Sequence, residues 1–166
     1  YLSDVGEVLE TTDFASSIQF KFVHDRIQQA AYSLIPEEEK KQIHLKIGRY
    51  ILNSRQKGNK NFYFFDFEEN VFDIVNHFNI AFTLISDENE KINIAKLNLI
   101  AGRKATKSAA FNSALQFINE GIKFVSEKDW DLNYNLLWQL HKEKASCEFT
   151  NALLEEAELT TKLLLN

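Results

Sequence analysis

The chain has 166 residues, of which 45% are hydrophobic and 26% charged, and its formal net charge is −5. This composition is that of a globular protein and argues against intrinsic disorder. The negative charge, with no basic stripe along the chain, argues against nucleic-acid binding. No apolar stretch approaches the roughly 20 residues that a membrane helix needs, so we expect no membrane partner.

Cysteine use and the absence of a leader indicate a cytoplasmic protein. The single cysteine, Cys147, cannot form an internal disulfide, and nothing resembles a secretory signal. Methionine is absent even at position 1, so we expect the sequence to start inside a longer protein. One proline and five glycines provide few helix breakers, which favours an all-α fold.

The first 35 residues predict a strand that feeds a helix. Apolar residues alternate at Ile18, Phe20 and Phe22, and the spacing then becomes helical from Ile27. A change of period from two to about three and a half marks this transition. The dipeptide His24-Asp25 lies at the helix entry, and the helix should end before Pro36.

Six further helices follow in the predicted chain order. Pro36 begins the second, with Glu37 to Glu39 in its first turn, where the helix dipole favours negative charge. The third carries one apolar stripe from Val71 to Ile85, and the fourth, over about 88–106, is capped by Asp87 or Ser86. Apolar residues surround the fourth helix, so we expect neighbours on both sides of it. Ser108 should cap the fifth helix, and the last two should cover about 130–149 and 151–165.

Small residues recur at a spacing typical of tetratricopeptide repeats. In such a unit, a small residue in the first helix is followed twelve positions later by another in the second helix, with further positions four and seven beyond it. Two sets match, displaced by 43 residues: Gly102, Ala114, Ile118, Gly121 and Ala145, Ala157, Thr161, Leu164. The sequence therefore predicts a tetratricopeptide-like array of antiparallel helix pairs over residues 36–166.

Two long motifs resemble a known family of signalling proteins. They are Phe-Lys-Phe-Val-His-Asp-Arg-Ile-Gln-Gln-Ala-Ala-Tyr-Ser-Leu-Ile at 20–35 and Ile-His-Leu-Lys-Ile-Gly-Arg-Tyr-Ile-Leu at 43–52. Shorter matches fall at 69–79 and 97–105. The family consists of large multi-domain proteins that join a serine/threonine kinase-like domain, a STAND-type AAA ATPase, helical repeats, a GAF sensor and often a histidine kinase.

The resemblance implies a division of the chain and a role for its first part. Residues 1–35 would be the C-terminal end of the ATPase's winged-helix subdomain, and residues 36–166 the helical array behind it. Val23-His24-Asp25 matches the family's methionine-histidine-aspartate motif, except that valine replaces methionine. His24 would sense the nucleotide phosphate and Asp25 would cap the helix that orients it; the alternative is a purely structural helix cap. ATP or ADP with magnesium would bind the upstream ATPase of the parent protein.

No residue pattern in this segment predicts catalysis or a bound cofactor. A phosphate-loop sequence is absent, and His44, His77 and His141 lack the spacing of a zinc site. The paired carboxylates at Glu37-Glu39, Glu68-Glu69 and Glu155-Glu156 are better explained by helix dipoles than by acid/base catalysis. An enzyme with a site among His24, Asp25 and His44 stays open as a rival.

We therefore expect a non-catalytic segment that couples the nucleotide state of an upstream ATPase to a downstream sensor or output domain. The alternative is a stand-alone protein-binding adaptor. Candidate partner-binding residues on a concave face are Asn98, Arg103, Lys104, Asn133 and Lys142. The aromatic run over 62–67 is either core or an interaction patch. The uncapped leucines at the C-terminus should meet a following repeat or a second copy, which would give a homodimer.

Overall fold

The computed structural model describes residues 25–58, 70–125 and 130–165, except for a few side chains at 25, 28 and 54–58. Within these ranges all regular structure is helical: α1 Asp25–Ser33, α2 Glu37–Gly58, α3 Val71–Ile80, a 3-10 turn Phe82–Leu84, α4 Glu88–Lys107, α5 Phe111–Lys123, α6 Trp130–Thr150 and α7 Leu154–Leu165. The strand predicted over 18–22 and the aromatic run over 62–67 lie outside the described residues. The all-α prediction is confirmed for the part of the chain that the structure describes.

The chain divides into two compact units, Tyr1–Ile35 and Pro36–Asn166. In the first unit, α1 is followed by a turn in which the amides of Leu34 and Ile35 donate to Ala31 and Tyr32. The second unit contains α2 to α7, and each helix packs mainly on the next one in the chain. The winged-helix assignment of residues 1–35 remains a prediction.

Local sequence signals determine where α2 and α4 begin. The carbonyl of Pro36 accepts the first hydrogen bond of α2, from Lys40, and Glu37, Glu38 and Glu39 occupy the first turn. Asp87 caps α4 as predicted, because its carboxylate accepts the Glu90 amide at 2.7 Å.

The apolar stripe predicted to run to Ile85 marks the buried residues correctly, but the prediction that the helix continues to Ile85 is wrong. Ala81 and Ile85 are buried, yet α3 ends at Ile80 and the chain tightens into the 3-10 turn. The turn contacts the end of α5, where the Phe82 and Phe124 rings pack edge to face with their centres 4.9 Å apart. The tighter turn keeps the apolar side chains inside while the chain reverses before Asp87.

Helix α4 is the centre of the core, as its apolar surround predicts. Its buried residues include Ile94, Ala95, Leu97, Leu99 and Ala101. Gly102 approaches α5 so closely that an added Cβ would lie 2.5 Å from Cδ1 of Ile118. Gly121 of α5 in turn lies against Asn98 and against Leu140 of α6. The two small residues thus let three helices approach one another.

The turn that joins α4 to α5 recurs 43 residues later, between α6 and α7. The Ala110 amide donates to Ala105 and the Ala109 amide to Thr106, both at 2.9 Å. The equivalent bonds run from Leu153 to Glu148 and from Ala152 to Phe149, at 2.9 and 3.1 Å. This is the Schellman pattern of helix ends, and it requires a left-handed residue: Ala109 has φ 57° and Ala152 has φ 59°.

The predicted N-cap role of Ser108 is wrong. Ser108 instead ends α4, where its hydroxyl donates to the Lys104 carbonyl at 3.3 Å, and α5 begins behind Ala110 without a side-chain cap. The Schellman turn already satisfies the last carbonyls of α4, and it leaves Ser108 on the wrong side of the reversal to reach the first amides of α5.

Glycine at either left-handed position should stabilise the protein. We expect Ala109→Gly and Ala152→Gly each to raise the free energy of unfolding by about 0.5–1 kcal/mol, because the relief of left-handed strain exceeds the entropy that glycine adds to the unfolded chain. Urea denaturation measures the change. Ala110→Gly is the matched control, since exposed Ala110 has φ −89° and gains nothing from glycine. An equal gain at positions 109 and 110 would contradict the argument.

Candidate functional site

A groove of about 430 Å³ lies between α4 and α6 and is the best candidate site in the second unit. The two helices run in the same direction, since Arg103 meets Gln139 and Glu143 while Thr106, further along α4, meets Cys147. The lining combines apolar, amide and cationic side chains: Lys96, Leu99, Ile100, Arg103, Leu132, Asn133, Asn135, Leu136 and Gln139. None of the described residues that line the groove carries a carboxylate.

Arg103 connects the two walls of this groove. Its Nε donates to the Glu143 carboxylate at 2.8 Å and its Nη2 donates to the Gln139 amide oxygen at 3.1 Å. The Arg103 side chain is 42% exposed, so solvent weakens the ion pair and a competing carboxylate has access to the guanidinium. Lys96 is exposed on the same wall of α4. The groove therefore has two cationic groups on its α4 wall, one of them paired with Glu143.

A kink in the first turn of α6 shapes the other wall. Asn133 has the non-helical dihedral angles φ −122° and ψ 25°, which separate the first residues of α6 from the rest of the helix. Leu132, just before the kink, is 84% exposed and lines the groove. An exposed leucine beside half-buried Ile100 and Leu136 gives the groove an apolar rim.

Of the five candidate partner-binding residues, the structure brings Arg103 and Asn133 together in this groove. Lys104 does not line it, because its ammonium lies 5.0 Å from the centre of the Phe72 ring. Lys142, on the exposed side of α6, lies 5.3 Å from the Trp138 ring centre. Both lysines make cation–π contacts, which fix their side chains on neighbouring aromatic surface.

Asn98 is removed from the candidate set, because it is completely buried. It forms a reciprocal amide pair with Asn79 of α3: the Asn98 amide donates to Asn79 at 2.9 Å and the Asn79 amide donates back at 3.0 Å. A further bond reaches the Ile94 carbonyl at 3.2 Å. The sequence predicted Asn98 on a concave binding face, whereas its amide holds α3 and α4 together.

The proposed nucleotide-sensing pair falls at the edge of the described chain. His24 lies outside the described residues, and Asp25 is the first residue of α1, with a side chain that also lies outside them. Their sensor role therefore stays a prediction. The acidic first turns of α2 and α7, with Glu155 and Glu156 in the latter, agree with the helix-dipole explanation of the paired carboxylates.

A pair of histidines that the sequence did not bring together lies between α2 and α3. His44 and His77 are separated by 33 residues in the sequence. Their Nδ1 atoms nevertheless lie 2.7 Å from each other, and their ring centres are 4.8 Å apart. Burial lowers the pKa of both imidazoles, and Asp73 opposes the effect at His77. Within the described ranges, no group of three metal-ligating side chains could hold an ion.

Cys147 is a buried core thiol on α6. Its sulfur lies 3.8 Å from the Thr106 hydroxyl, and burial raises the pKa of the thiol. A nucleophilic cysteine needs the opposite shift, because the thiolate is the reactive form. The neighbouring buried carboxylate of Glu148 accepts a hydrogen bond from Thr160 of α7 at 2.7 Å, which ties α6 to α7.

No helix in the described ranges combines the length and apolar character needed to cross a membrane. No protein-family model matches the chain, and no solved structure matches it. The chain is similar to a segment of hybrid signal transduction histidine kinase G of Dictyostelium discoideum, with 36% identity over 165 aligned residues. The match covers 85% of this chain but 5% of that much longer kinase.

Proposed function

We propose that this chain is a non-catalytic segment of a multi-domain signalling protein, and that it transmits a conformational signal between neighbouring domains. The observation that carries the proposal is its 36% identity to a segment of a hybrid histidine kinase. The match covers a small fraction of that protein, so the kinase reaction would reside elsewhere. The segment's own part would be to bind and to respond.

The helical array fits such a role as a tetratricopeptide-like module. Two helix pairs, α4–α5 and α6–α7, recur with the same turn after 43 residues, and small residues lie where the helices approach. Stacked pairs of this kind present the first helix of each pair on one side. The groove between α4 and α6 lies between two such first helices and would receive the partner.

The chemistry of the groove favours an acidic, amphipathic helix or extended segment as its ligand. Lys96 and Arg103 would attract carboxylates, the amides of Asn133 and Gln139 would bond to a backbone, and Leu132 and Leu136 would cover an apolar side chain. The ligand would be a surface of a neighbouring domain in the same protein. Through it, the nucleotide state of an upstream ATPase, sensed at His24 and Asp25, would reach a downstream output domain.

Leu132→Glu tests the groove in the full-length protein. Leu132 is 84% exposed, so the change should leave folding intact while it places a charge at the apolar rim and repels an acidic ligand. We expect the output activity to lose its dependence on ATP versus ADP, with affinity for the docked domain reduced about tenfold or more. Output activity with each nucleotide, and binding of the separated domains, measure the two effects.

Leu154→Glu is the matched control, since Leu154 is 60% exposed, lies in the first turn of α7 and does not line the groove. Its output should keep the nucleotide dependence. If Leu132→Glu behaves like this control, the groove is not the docking site. If a separate partner protein binds the groove with the same affinity after the upstream ATPase is deleted, the adaptor alternative replaces signal transmission.

A further inference from the structure

A hydrogen bond between two histidines joins α2 to α3, and this bond cannot form when both imidazoles are protonated. The Nδ1 atoms of His44 and His77 face each other at 2.7 Å, a distance at which one nitrogen donates and the other accepts. One imidazole must therefore carry its proton on Nδ1 and the other on Nε2. The pair lies where α2 and α3 meet, beside Gly48: a Cβ added to Gly48 would lie 3.3 Å from the Phe78 ring and 3.4 Å from the Cβ of His77.

We propose that the His44–His77 pair is an acid-sensitive clasp that holds α2 on α3 and opens when both imidazoles are protonated. A first proton added at the Nε2 of the donor ring leaves the bond in place, because that nitrogen takes no part in it. A second proton must occupy the accepting Nδ1, so two N–H groups and two positive charges then face each other. The bond is lost, and repulsion at 2.7 Å drives the helices apart.

Charged side chains lie on the helices around the pair. Asp73, one turn before His77 on α3, is the carboxylate whose field favours a charged His77. On α2, the Lys40 ammonium is engaged with Glu37 and adds positive charge one turn before His44. From α4, the Glu90 carboxylate is engaged bidentately by Arg49 of α2 at 2.7 Å. The Asp73 carboxylate therefore favours a charged His77 but does not restore the hydrogen bond that the second proton removes.

The direction of the pH effect follows from the same geometry. The pKa of each imidazole is lowered in the folded protein from its ordinary value of 6.5, so near pH 6 the unfolded chain binds more protons than the folded one. The stability that the pair contributes is fully present above pH 6.5 and is lost as the pH falls below it. The two protons belong to the pair, and the second step is the one that opens it.

Amide hydrogen exchange on the full 166-residue chain tests the clasp, with rates corrected for the intrinsic effect of pH. Between pH 7.5 and pH 5, we expect protection in α2 and α3 to fall more than protection in α4 and α5, because protonation of the pair favours the open state. An equal fall in all four helices would overturn the proposal.

The matched variant is His44→Gln with His77→Gln, in which two amides keep a hydrogen-bonded pair that does not titrate. Its α2 and α3 protection should follow that of α4 and α5 across the pH range. The same selective loss in this variant would assign the effect to another group. Long-range ¹H–¹⁵N spectra at pH 7.5 give an independent readout: one imidazole of the pair should be the Nδ1–H tautomer, and two Nε2–H tautomers would overturn the proposal.

Discussion

Replacement of Gly102 by valine is expected to lower the free energy of unfolding by about 3 kcal/mol, one of the two largest effects in the second unit. A Cβ at position 102 would lie 2.5 and 2.7 Å from Cδ1 and Cγ1 of Ile118, whose side chain is fully buried. Valine adds two further methyl groups to this contact, and overpacking of a well-filled core costs 1–3 kcal/mol or more. Chemical denaturation measures the loss.

A compensating change makes this prediction specific to one contact. Ile118→Val removes Cδ1, and by itself should cost about 1 kcal/mol. Combined with Gly102→Ala, it should cost less than the sum of the two single changes, because the first substitution makes room for the second. Additive effects would show that α5 moves as a body and that the Gly102–Ile118 contact does not limit the helix spacing.

Asn98→Ala is the second substitution with a large expected effect: it should lower the free energy of unfolding by about 2–3 kcal/mol. The substitution leaves the Asn79 amide without the partner that both donates to it and accepts from it, and it opens a cavity at a fully buried position. Thermal or urea unfolding measures the change. Asn79→Ala added to Asn98→Ala should cost little more, because a single pair is being removed.

Asn133→Ala is the matched control for the same residue type. Asn133 is half-buried at the groove, so its substitution should change stability by less than about 0.5 kcal/mol. We therefore expect loss of Asn98 to weaken the fold, and loss of Asn133 to weaken only the binding proposed for the groove. A large stability loss at position 133 together with none at position 98 would reverse these assignments.

The proposed docking groove and the proposed clasp lie in different parts of the second unit. The groove lies between α4 and α6, whereas the histidine pair lies between α2 and α3. A protein that lost its groove by Leu132→Glu should retain the pH-dependent opening of α2 and α3. The proposed signalling role and the acid-sensitive clasp can therefore fail independently.

The helical content, most helix starts and the 43-residue spacing of the small residues follow from the sequence. Asp87 begins α4 and Pro36 precedes α2 because capping and proline geometry act within one turn of the chain. The 43-residue displacement read from Gly102 and Ala145 recurs in the Schellman turns at Ala109 and Ala152. Local rules failed where tertiary packing ended a helix, as at Ile80, or reversed the chain with a non-glycine residue, as at Ser108 and Ala109.

The tertiary structure alone decided which polar residues meet. The bonds His44–His77, Asn79–Asn98 and Arg103–Glu143 join residues 33, 19 and 40 positions apart. No periodicity in the sequence encodes these contacts, since a helical pattern shows which face a residue occupies but not which neighbour covers it. For the same reason the sequence predicted Asn98 on a concave binding face, whereas the residue is buried.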